Sequence, residues 1–260
     1  MSNRVSLPMY DIHPPITDAL WAALRPRLQA LGINAPLQVV RPGDLLAHWR
    51  DDSLLLGQTC GYPLMTQLAD AQVVGCFHYA APGCDGPRYR SFLVAREEAA
   101  GNTLADFRGR SAACNAPDSH SGYNALRLQV ARLGGSTRFF QAVVFSGSHD
   151  RSLAALQRGE ADLAAIDCVT FALLRRYRPE RLRGLAVIGE TPLAPGLPLI
   201  TSRLTRPDTL CALRAALHQL VDDDACTDAL IAGFSPASRS DYIPVLEWQR
   251  EAAARGVDAL

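Results

Sequence analysis

The side chains best suited to chemistry cluster in one polar stretch, Asp118-Ser119-His120-Ser121-Gly122. Arg110 to Cys114 before it is short, small and apolar enough for a buried strand. Tyr123 to Leu133 after it sets Leu126, Val130 and Leu133 at helical spacing, so the polar stretch reads as a strand-to-helix turn. The first N–H groups of a helix lack intrahelical partners and carry the positive end of the peptide dipoles. Two hydroxyls and an imidazole added there suit an anion; plain N-capping by Asp118 or Ser119 is the purely structural reading of the same residues.

Two more turns of this kind follow. Ser146-Gly147-Ser148-His149-Asp150 comes after the apolar run Phe139 to Phe145, and Asp167-Cys168 ends the small apolar run Ala161 to Ile166. Ser148 and Asp167 each suit a helix cap, while His149 and Asp167 also suit ligand binding. Nearer the start, Met9-Tyr10-Asp11 and the stretch Gly57 to Pro63, with Gln58 and Tyr62, lie at the ends of strands.

Strands alternating with helices are what must position these turns. Strands are expected at 4–9, 37–40, 53–56 and 72–79, with a helix opened by Pro14-Pro15 and stopped by Gly32. Tyr89 to Ala95 is expected as a crossing strand, and 185–190 with 197–201 as a second crossing. Helices close the chain at 207–221, 224–231 and 241–255. The pattern predicts an α/β fold of two lobes, each a mostly parallel sheet flanked by helices, with ligands gathering at the carboxyl ends of strands. Lobe boundaries follow the crossings: 1–88 and 195–260 in the first lobe, 89–194 in the second, with a ligand between them.

Composition narrows the function. Twenty-six basic residues balance 26 acidic ones in 260, which excludes a global field suited to nucleic acid or an anionic membrane. The first ten residues show no apolar leader and no run reaches membrane-spanning length, so the chain as written is expected to stay in the cytoplasm, with the periplasm as the alternative if a leader precedes it. Seven scattered cysteines without a Cys-x-x-Cys pair favour reduced thiols over disulfides or zinc. Asp222 to Asp224 reads as an acidic helix junction in solvent, Arg175 to Arg183 as a solvated basic face, and Phe139-Phe140 as core. No metal or cofactor is expected.

Taken together, Gly57 to Pro63, Asp118 to Gly122, Ser146 to Asp150, Gly159 to Asp167, and Gly233 to Pro236 with Asp241 to Pro244 resemble the phosphate-, phosphite- and phosphonate-binding proteins of ABC transporters, a branch of the type II periplasmic binding fold. The resemblance covers nearly the whole chain in order. It implies an oxyanion held by Ser119, His120 and Ser121, a donor at His149, a partner for a ligand amino group at Asp167 and a closing tyrosine at Tyr62, with Tyr89 placed by position alone. Tyr10, Asp11 and Gln58 complete the expected ligand-binding set, and ABC transporter membrane subunits are the implied partners. His120 stands where a threonine is common in the family. Two other functions fit such a fold: a cytoplasmic biosynthetic enzyme using His120, His149 and Asp167 as acid or base, and a ligand-sensing module for a cytoplasmic partner.

Overall fold

The computed structural model describes residues 3–134 and 138–260. In chain order the strands are β1 (Arg4–Ser6), β2 (Leu54–Gln58), β3 (Gln72–Tyr79), β4 (Arg88–Tyr89), β5 (Ser91–Arg96), β6 (Ser111–Cys114), β7 (Ala142–Phe145), β8 (Leu163–Asp167), β9 (Leu185–Glu190), β10 (Ala194–Pro195), β11 (Pro198–Thr201) and β12 (Ile231–Pro236). The helices are α1 (Pro14–Ala30), α2 (Leu45–Trp49), α3 (Gly61–Thr66), α4 (Ala125–Arg132), α5 (His149–Gln157), α6 (Cys168–Tyr177), α7 (Pro207–Leu220), α8 (Asp224–Asp228) and α9 (Ile243–Ala254). They fall into two compact units, Met1–Arg88 with Pro195–Ile243, and Tyr89–Ala194 with Pro244–Leu260.

In the first unit the sheet runs β1-β2-β11-β3-β12. β1 and β2 are parallel; β11 is antiparallel to both β2 and β3, and β12 antiparallel to β3. The consecutive leucines of β2 are all buried because both sheet faces are covered. Leu55 and Leu56 join Val74 and Phe77 beneath α1 (Leu20, Trp21, Leu24, Leu28) and α7 (Leu213, Leu217, Leu220). Leu54, Val73 and Ile200 pack on the other face with Trp49, Leu64 and Tyr242.

Two expected elements change here. Residues 37–40 form no strand: Leu37 is 73% exposed, and Pro36 and Pro42 flank the stretch with no N–H to donate. The expected helix 224–231 stops at Asp228, and Leu230, with φ of 57°, reverses the chain into β12.

The second unit's sheet runs β7-β6-β8-β5-β9. β6 is parallel to both β7 and β8, and β5 returns antiparallel between β8 and β9. Leu93, Ala112, Leu126, Val130, Phe139, Leu163 and Ala165 form its core. Phe139 and Phe140 are buried there but precede the strand, which begins only at Ala142. Ala252 and Val257 belong to the same core. The expected assignment of 195–260 to the first unit is therefore corrected: past Ile243 the chain packs with the second, because α9 buries its apolar face there.

All seven cysteines are free thiols. Burial pushes Cys76, Cys114 and Cys226 up to about 12, which keeps them protonated and inert.

Candidate functional site

Three parallel strands of the second unit end on one edge of their sheet, and each delivers a helix start. β6 leads through Asn115 to Ser119, β7 to Ser148 and His149, and β8 directly to Asp167.

After β6 the chain does not enter an α-helix at once. His120–Asn124 forms a π-helical turn that runs on into α4. The Asn124 N–H donates to the Ser119 carbonyl at 3.0 Å and the Ala125 N–H to that of His120, both spanning five residues. Ser119 is the N-cap, its Oγ accepting from the Gly122 N–H at 3.0 Å. A wider turn spreads the leading N–H groups over a broader mouth, and π turns are frequent at functional sites.

Ser121 faces the neighbouring turn. Its Oγ lies 2.9 Å from Nε2 of His149, and its carbonyl accepts from the Ser91 hydroxyl at 3.0 Å. Burial lowers His149 to about 4, so the imidazole is neutral at pH 7; its Nδ1 is enclosed and unpartnered among the described residues. With the Nε2 proton on His149, the Ser121 hydroxyl proton is left for an oxyanion; with the proton on Nδ1, Ser121 donates to the ring. A Cβ at 122 would stand 1.9 Å from Asn115 Oδ1 and 3.3 Å from His149 Cε1, so any larger residue there must displace the Asn115 side chain.

His120 turns the other way. Its ring stacks on Trp248 of α9 at a centroid distance of 4.9 Å, and the Asn124 side-chain amide donates to its Nδ1 at 3.1 Å. Asn124 also donates to the Val245 carbonyl and accepts from Arg127, which donates in turn to the Asp258 carbonyl. With the Asn124 oxygen taken by a guanidinium, its nitrogen must be the donor, so His120 Nδ1 is an acceptor and the ring is neutral with its proton on Nε2. Burial pushes its pKa down to about 3 in agreement. The expectation that the His120 side chain holds the oxyanion is corrected: it anchors the turn to α9, because residues 120 and 124 share the face that packs there.

Asp167 is 2% exposed and caps α6, its Oδ1 accepting from Val169 and Thr170 N–H at 2.8 and 3.1 Å. It pairs in register with Ser91, which bonds Ser121, so the Ser119, His149 and Asp167 turns are joined by short links.

The first unit gathers its own polar group at the ends of its strands. Gln58, 2% exposed, donates from Nε2 to the Tyr79 hydroxyl at 3.2 Å, and Tyr10 meets Tyr79 edge-on at 4.9 Å. Tyr62 is half-buried in the first turn of α3, and Tyr89, in the second unit, is buried. Asp11 is drawn away from a ligand role: it pairs with Arg41 at 2.6 Å, which also holds Asp18, because an arginine within reach is a stronger partner than water.

Asn115, Ser91, Asn124, Trp248 and Tyr79 join these groups without standing among the residues expected to bind a ligand. Only Asn115 and Asn124 carried a local signal, as polar residues flanking the turn; the others arrive through long-range packing. Among the described residues no cluster of His, Cys, Asp or Glu is placed to hold a metal ion, and no helix is long and apolar enough to cross a membrane.

Residues 18–242 match the family described as ABC transporter, phosphonate, periplasmic substrate-binding protein. The chain belongs to this family. Its members bind solutes for transport and are not enzymes, which replaces the enzymatic alternative. No curated protein matches the sequence. Among solved structures, a binding-protein component of an ABC phosphonate transporter from Pseudomonas aeruginosa aligns with a TM-score of 0.78 at 19% identity, covering 97% of this chain and 88% of that one. PhnD1 from Prochlorococcus marinus, in complex with methylphosphonate, aligns at 0.75 and 15% identity, covering 97% and 98%. The alkanesulfonate-binding protein SsuA from Xanthomonas axonopodis, bound to MOPS, aligns at 0.69 and 16%, covering 99% and 94%. At these identities the likeness is one of fold, and it is the expected type II periplasmic binding fold.

Proposed function

We propose that this binding protein takes up a small oxyanion of the phosphonate, phosphate or phosphite type at the Ser119–Gly122 turn of its second unit. The observation that supports this most directly is the Ser121–His149 pair set against a π-helical start. Ser121 and the leading N–H groups replace the anion's water shell, and Ser119 shapes the turn that presents them. His149 orients the Ser121 hydroxyl. Asp167 stands beside the site as a cap, and Gln58, Tyr10, Tyr62 and Tyr89 are further candidate contacts, whereas Asp11 is committed to Arg41.

The fold neighbours named for methylphosphonate and for sulfonates favour the same class of ligand. The family description favours work in the periplasm beside the membrane subunits of an ABC transporter.

Calorimetric titration with methylphosphonate, phosphite, phosphate and sulfate tests the reading. At least one tetrahedral oxyanion is expected to bind, and Ser121→Ala to weaken it roughly tenfold, the effect of losing one hydrogen bond to a charged group. Failure of all four to bind, or undiminished binding by Ser121→Ala, would overturn it.

A further inference from the structure

Arg127 of α4 is buried, at 6% exposure, and stands just past the π-helical turn. Long helical side chains lean back toward the N-terminus of their helix, and this one does: Nη2 donates to Asn124 Oδ1 at 3.0 Å. The guanidinium is thereby carried toward the Ser119–Gly122 turn. Its Nη1 donates to the Asp258 carbonyl at 2.7 Å, the Tyr123 ring lies 5.9 Å from its central carbon, and Nε is enclosed without a partner among the described residues.

Every one of those contacts is neutral. Arg132 of the same helix pairs with Glu251 at 2.8 Å, but no carboxylate among the described residues pairs with Arg127. The acidic groups on the elements packed around α4 are committed or turned outward. Glu251 also meets Arg255, Glu190 meets Arg90, and Glu247 and Asp258 are exposed. His120, bonded to the same Asn124, is a neutral ring. Arginine stays protonated in a protein, so a full positive charge is held here out of water with only dipoles to offset it. The helix start toward which it leans carries the leading N–H groups and the Ser121 hydroxyl.

We propose that, given the oxyanion reading above, Arg127 is a further specificity-determining residue of this site: its unpaired buried charge acts across Asn124 on the bound anion and favours doubly charged oxyanions over singly charged ones.

Calorimetric titration with methylphosphonate, phosphite and phosphate is the test, at about pH 5.5, where each carries one charge, and about pH 9, where each carries two. His120 and His149, held to about 3 and about 4, are neutral at both. The unmodified protein is expected to bind at least about tenfold tighter at the higher pH. Arg127→Gln keeps a donor for Asn124 and removes the charge, so affinity should fall roughly fivefold at the lower pH and roughly 25-fold at the higher. Arg127→Lys keeps the charge and should stay within about threefold of the unmodified protein at both. Equal affinity of the unmodified protein at the two pH values overturns this inference, with no variant needed. Equal losses by Arg127→Gln at both, or Arg127→Lys as weak as Arg127→Gln, also overturn it and leave the oxyanion site standing, since Arg127 would then only tie α4 to the chain at Asp258. No binding of any of the three by the unmodified protein overturns the site itself, and this inference with it.

Discussion

Two helix starts at neighbouring strand ends of the second unit solve the same problem in opposite ways. After β8 a carboxylate fills the leading N–H groups of α6: Asp167 accepts from two of them and neutralises the dipole there. After β6 the cap is a serine hydroxyl, which takes the Gly122 N–H and brings no charge, and the turn widens into a π-helix. A helix start capped by a charge is complete, whereas one capped by a neutral hydroxyl keeps its positive potential for something else. The sequence places Ser119 and Asp167 as equals; their chemistry leaves one helix start capped by a neutral hydroxyl and the other by a carboxylate.

Exchanging the two caps gives the largest expected effect. Ser119→Asp makes the first start resemble the second, and phosphonate affinity should fall by about 100-fold or more as a carboxylate takes the anion's place. The fold should hold, since aspartate caps as well as serine, so a native circular dichroism spectrum with lost calorimetric binding is the signature. Retained affinity would mean that the anion does not use this helix start.

Gly122→Ala attacks the width of the first turn. The new methyl group meets Asn115 Oδ1, so a loss of about 2 kcal/mol in denaturant-measured stability is expected from overpacking. Affinity should drop with it, roughly tenfold by displacement of Ser121 from His149.

Acid should separate the two starts as well. His120 and His149 are held near 3 and about 4 by burial, from 6.5 in an unfolded chain, so between those values the unfolded state binds more protons. Stability therefore rises with pH across that window, and the melting temperature should fall as pH drops from about 6.5 to about 4. His48 and His78 of the first unit are also lowered by burial, so the second unit's share is the part of the slope removed by His149→Gln together with His120→Gln.

The smallest effect is expected at the second start. Asp167→Asn keeps an oxygen acceptor and removes the charge, costing about 1 kcal/mol of stability by thermal melting. Phosphonate binding should stay within about threefold, because the Asp167 Oδ1 that caps α6 is kept as an amide oxygen. A large gain in anion affinity would show that Asp167 had been repelling the ligand directly.

Much of this arrangement was legible in the sequence because it is local. β3, β6, β8 and β11 come from short apolar runs, and the three polar turns stand just past such runs. The misreadings have a common source in distance along the chain. Residues 37–40 are apolar enough for a strand but meet β1 through the Val40 N–H on the Val5 carbonyl without joining its sheet, and the expected helix 224–231 ends early because Leu230 reverses the chain into β12. The direction of His120 is set by Trp248 and by a π turn that shifts side-chain positions within the helix, neither of which leaves a mark in spacing. The Asp11–Arg41 pair is equally invisible, since any of several arginines could have claimed that carboxylate.

The return of the chain to the second unit after Ile243 has a consequence for assembly. The first unit waits for residues 195–243, and the second waits longer still, for the seventeen that follow. During synthesis the interior segment 89–194 emerges without Trp248 to stack on His120, and with a hole where Ala252 and Val257 belong. The Ser119–Gly122 turn is thus set only after α9 has been made, and a nascent chain carries the sequence of that turn well before it carries its shape.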